Sequence, residues 1–174
     1  MRRILLLLAV LAPGCRSRTP AAEPSGPGVI SVRWTGSDTG RFAATAEALW
    51  CARDSLLEIV AVRNDTAIGL SLVAQDSLRT GGYPVYHTEV YAPWRPQAGV
   101  ALRWLDSTDL KRFGGARGQV TVTEGGSRRV TGTLEVGVQA TPGRDSLHLT
   151  GSFSGLPIGS ASPACGRANK PGPA

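Results

Sequence analysis

Two histidines and one cluster of aromatic rings are the groups in this chain with the clearest chemistry to offer. A general base is most often a histidine, and only His87 and His148 are present. His148 alternates with Thr150 and Ser152, which puts it on the polar, solvated face of an extended run. His87 and Glu89 share a face if their segment is extended. Two ligands at i and i+2 can begin a metal site, but a third is needed and none stands at a recognisable spacing. The stretch Gly151-Ser152-Phe153-Ser154-Gly155 imitates a nucleophile elbow in outline. Its centre is a phenylalanine, and it falls in a β meander instead of a strand-to-helix turn. Phosphate-loop and dinucleotide fingerprints are absent. The sequence therefore points to no catalytic residue, no metal and no cofactor.

The segment from Gly81 to Gln97 holds the best candidate for a binding surface. It contains all three tyrosines of the chain, Tyr83, Tyr86 and Tyr91, with Trp94, three prolines, His87 and Arg95. Such rings bring flat apolar area with polar tips. Proline demotes the run to an edge strand or loop. The alternative is that the same rings point inward and cap one end of the core.

The elements that must carry these groups are strands. Ser55 to Arg63 is nearly continuous apolar sequence and predicts a central strand. Asn64-Asp65-Thr66 predicts a turn, after which Ile68, Leu70 and Leu72 share a face. Phe42 to Trp50 is alanine-rich and is read as strand by its place between strands. Val100, Leu102 and Trp104 alternate, and Asp106 to Phe113 has room for one helical turn capped by Ser107 or Thr108. Farther on, Val120 and Val122 point inward, as do Val130, Leu134, Val136 and Val138, then Leu147, Leu149 and Phe153. This three-strand meander has one apolar face and needs a second sheet or barrel closure to bury it. The expectation is an all-β domain over residues 28–166. It would be an antiparallel β-sandwich or a closed β-barrel of about eight or nine short strands.

The chain has 174 residues and a formal net charge of +6. Between Gly28 and Gly166, however, 13 Arg and Lys face 12 Asp and Glu, so the basic excess lies in the flanks. A nucleic-acid partner needs basic charge concentrated on one face, and no long basic run occurs in the domain. Nucleic acid is not an expected partner.

The first fifteen residues set the expected compartment. Arg2 and Arg3 precede nine apolar residues, Ile4 to Ala12, then Pro13, Gly14 and Cys15. That is the layout of a secretory signal. Nine helical residues reach only about half of a ~30 Å hydrocarbon core. The Gly14-Cys15 pair resembles the lipobox of bacterial lipoproteins, with Ala12 at the family's usual Leu position and Pro13 where Ala or Ser is commoner. The resemblance implies cleavage after residue 14, a lipid on Cys15 and a cell-envelope location. Arg16, in place of the Asp that marks inner-membrane retention, implies the outer membrane. Residues 15–27 then form a Pro-rich tether, and residues 167–174 a disordered tail. With Cys15 lipidated, Cys51 and Cys165 are the two cysteines left to pair in an oxidising compartment. The domain pattern also resembles, loosely, uncharacterised bacterial lipoproteins with a β-sandwich.

Three functions are carried forward. The first is a lipid-anchored binding or structural module of the envelope, with an envelope protein or glycan as partner. The second is a lipocalin-like carrier of a small apolar ligand. The third, an envelope hydrolase, has the least support.

Overall fold

The computed structural model describes residues 27–87 and 95–160. Ten strands follow one another: β1 (Val29–Gly36), β2 (Gly40–Thr45), β3 (Glu47–Cys51), β4 (Leu56–Arg63), β5 (Thr66–Val73), β6 (Gly81–Pro84), β7 (Gln97–Asp106), β8 (Asp109–Gly125), β9 (Arg129–Ala140) and β10 (Ser146–Ser160). One 3₁₀ turn, Ala52–Asp54, links β3 to β4. The domain is all-β, as its alternation predicts, but its C-terminal strands are long: β8 has 17 residues and β10 has 15.

Seven strands close a ring in the order β10-β3-β4-β5-β7-β8-β9 and back to β10. The remaining three, β1, β2 and β6, lie outside that ring. The two long strands make this possible by serving two partners along one edge. β8 pairs with β7 over Asp109 to Gly114 and with β6 over Gln119 to Val122. β10 pairs with β1 over Leu147 to Ser154 and with β3 over Ile158 to Ser160. Each long strand carries a register break near its change of partner, at Gly115/Arg117 in β8 and Phe153/Leu156 in β10. Bulges of this kind bend a strand and sharpen its twist.

The β10–β3 step is parallel, which departs from a wholly antiparallel expectation. The reason is local. β2 and β3 run in the same direction, separated only by Ala46, whose N–H donates to the Gly28 carbonyl. β1 starts at Val29, so the edge of β10 is open beyond Ser154 and β3 slides into it.

Alternation fills the interior. Leu57 and Ile59 of β4, Leu72 of β5, Val120 of β8, Val136 of β9 and Phe153 of β10 have no exposed surface and belong to one contiguous apolar cluster. Two aromatic rings lie over glycines on neighbouring strands. A Cβ at Gly132 would sit 2.4 Å from the Phe153 ring, and one at Gly40 would sit 2.3 Å from the Trp34 ring. Glycine is required at both because a side chain would occupy the ring's place.

Two local expectations are corrected. β4 is not buried on both faces: Val60 and Val62 are 51% and 60% exposed, because no described residue covers them outside the ring. Asp106 to Phe113 holds no helical turn. Ser107 and Thr108 close a two-residue hairpin in which Asp106 pairs with Asp109, and Ser107 takes a positive φ of 55°. The strong β-alternation on both sides overrides a cap signal that has no helix to follow it.

Candidate functional site

The outer face of β8, β9 and β10 forms a shallow groove of about 900 Å³. Its lining follows from strand alternation: every second residue points into the core, so those between point out. Register then assembles the outward residues into rows. Arg117, Gly137 and His148 stand side by side, and Thr35 of β1 extends their row. The next row runs Gln119, Glu135, Thr150, then Arg33 of β1 and Arg41 of β2. The third runs Thr121, Thr133, Ser152 and Ser31. Neighbouring members of a row are one strand spacing apart, about 4.7–4.9 Å.

The chemistry of this face is hydroxyl and cationic. Glu135 is the one carboxylate among the described residues that line the groove, and its Oε1 lies 3.8 Å from Nε2 of His148. Arg33 Nε donates to Thr150 Oγ1 at 3.4 Å, which brings its guanidinium to the groove rim. The Arg117 side chain lies along Gly137, and Gln119 lies over Gly82. These glycines keep the floor low and let long side chains lie flat. Elsewhere on the surface Arg53 is held above its usual range by its hydrogen bond to Asp54 and then by that carboxylate's charge.

The residues singled out by sequence are dispersed. Tyr83 is buried, and its hydroxyl donates to the Arg79 carbonyl at 3.0 Å while accepting from the Arg79 N–H at 3.1 Å. It belongs to the core, not to an exposed patch. Tyr86 is 41% exposed, and His87 and Arg95 are exposed. Tyr91, Trp94 and Glu89 lie outside the described residues, as do Cys15 and Cys165. Cys51 ends β3 and is buried. Among the described residues no group of three His, Cys, Asp or Glu could hold a metal ion, and no helix is long and apolar enough to cross a membrane.

Sequence reading places His148 on a polar face but misses the groove. The signal was present in the polar half of each alternating strand, Gln119, Thr121, Thr133, Glu135 and Thr150. Only the register between strands brings those residues together. No family model, curated protein or solved structure matches this chain.

Proposed function

We propose that this is a lipid-anchored cell-envelope protein whose β-barrel serves as a binding module through its outer surface. The observation that carries this reading is the contrast between the two sides of the barrel wall. The inside is occupied by one apolar cluster, whereas the outside carries a polar groove. A ring of about eight strands is only just wide enough for its own side chains, and this ring has seven. A lipocalin-like carrier needs internal space, so the filled cluster weighs against that alternative. Anchoring rests on Arg2-Arg3, the apolar run and Gly14-Cys15, and the outer membrane on Arg16.

The same reading includes a Cys51–Cys165 disulfide. It is supported by the burial of Cys51 at the end of β3. It is also supported by the parallel pairing that sets Ser160 beside Trp50, one residue before Cys51 and five before Cys165.

Labelled palmitate and mass spectrometry of the membrane fraction test the anchor. The expected result is lipid on Cys15 at the mature N-terminus, with Cys15→Ala released from the membrane. An unmodified N-terminus cut elsewhere overturns it.

A further inference from the structure

We propose that the groove on β8, β9 and β10 binds an anionic glycan, a chain of hydroxyl-bearing rings with carboxylate or phosphate groups. The inference deepens the binding-module reading and rests on it.

The first argument is charge. Arg117 lines the groove and Arg33 and Arg41 continue one of its rows, against Glu135 as the one carboxylate among the described lining residues. Among the described residues neither Arg41 nor Arg117 has a carboxylate partner. A guanidinium without a protein carboxylate is free to take one from a ligand, in a hydrogen bond strengthened by both charges. Arg117 on β8 stands on one side of the face and Arg33 and Arg41 on β1 and β2 on the other, and the groove between them selects an anion.

The second argument is the hydroxyl row. Thr121, Thr133, Ser152 and Ser31 present four hydroxyls on four consecutive strands, each able to donate one hydrogen bond and accept two. A polyhydroxylated ligand offers the same mixed capacity along its length. A polyanion without hydroxyls would use the arginines and leave this row to water. Single-stranded nucleic acid would need large aromatic rings on which bases stack, and among the described residues no Phe, Tyr or Trp lines the groove.

The test is calorimetric titration of the full chain in detergent with three probes: oligogalacturonate, neutral maltohexaose and poly-glutamate. Oligogalacturonate should bind saturably and weaken as salt rises, since exposed charges are screened beyond about 10 Å at 0.1 M. Arg117→Gln and Arg33→Gln should each weaken it by about tenfold, the worth of one charge-assisted hydrogen bond. Thr133→Val should weaken it several-fold at unchanged charge, with the melting temperature serving as the check that each variant is folded. Absence of saturable oligogalacturonate binding overturns the proposal. Equal binding of poly-glutamate overturns it too, because charge alone would then suffice. So does affinity unaltered by Thr133→Val or by both arginine variants. Lipidation of Cys15 is measured separately, so failure of the glycan leaves the anchor intact and loss of the anchor leaves the groove to be judged by titration.

Discussion

Trp34 of β1 stacks on Trp104 of β7 with ring centroids 5.4 Å apart, tying a strand outside the ring to one within it. Trp104 stacks in turn on Phe113 of β8 at 5.2 Å and 7° between planes. The stack closes the barrel at the end where β1 and β2 stand in place of β3. Offset aromatic pairs of this kind contribute about 0.5–1.5 kcal/mol beyond the area they bury.

The position of Trp34 depends on Gly40 beneath it, and that dependence can be measured. Trp34→Ala should cost about 3–5 kcal/mol. Gly40→Val should cost about 1–3 kcal/mol in the native protein, because its side chain displaces the indole. In the Trp34→Ala background the Gly40→Val cost should nearly vanish, since the space is then open and valine suits a strand. Urea unfolding of the four proteins gives the coupling. Additive costs would mean that the ring and the glycine do not share this space.

The two tyrosines of the Gly81–Gln97 segment that the structure describes should behave oppositely. Tyr83→Ala removes a buried ring and should cost about 3–5 kcal/mol. Tyr83→Phe keeps the ring and loses only the bonds to the Arg79 backbone, for about 1 kcal/mol. Tyr86→Ala should stay within about 0.5 kcal/mol, as exposed substitutions usually do. Thermal unfolding checks the order. A large cost at Tyr86 or a small one at Tyr83 would reverse the assignment of core and surface.

The contrast between these tyrosines shows what sequence could convey. Where one face is buried, alternation carries the fold: Val130, Leu134, Val136 and Val138 read as an inward row and are one. The Asn64-Asp65 turn is legible for a similar reason, since Asn64 takes the positive φ of 52° that asparagine tolerates. Barrel closure is not legible, because it depends on β10 and β8 changing partners partway along, and partner choice leaves no local pattern. The outward apolar residues Val60 and Val62 misled for the opposite reason. They follow the composition of a central strand but lie on an uncovered face. The groove fails for the same cause as closure, since its rows draw on five strands.

Redox state gives a third expectation. If the proposed bridge forms, protein purified without reductant should show no reactive thiol at Cys51 or Cys165 after unfolding. Cys51→Ser should lower stability by about 2–5 kcal/mol, the usual loss for a native bridge. Thiol labelling at both positions would remove the disulfide from the account.

The last expectation concerns the seam between β2 and β4. β3 covers the edge of β4 only as far as Val60, where it pairs with Glu47. Beyond that point β2 lies beside β4 without a ladder between them. Arg63 spans the seam, its Nη1 donating to the Ala43 carbonyl at 3.0 Å. The β1–β2 hairpin is held to the ring by the β1–β10 ladder, by the burial of Ile30, Val32, Trp34 and Phe42 in the core and by the Trp34 stack, while Arg63 bonds across the β2 edge. Arg63→Ala should cost only about 1 kcal/mol in global unfolding. Its larger effect should be local, because a strand edge without a ladder can open without the whole barrel unfolding. Amide hydrogen exchange in Gly40–Thr45 should quicken clearly more than in β8, β9 or β10. Arg63→Lys, which keeps a donor on a flexible stem, should restore part of the protection. Uniform acceleration across all strands, or none in β2, would show that Arg63 does not hold the seam.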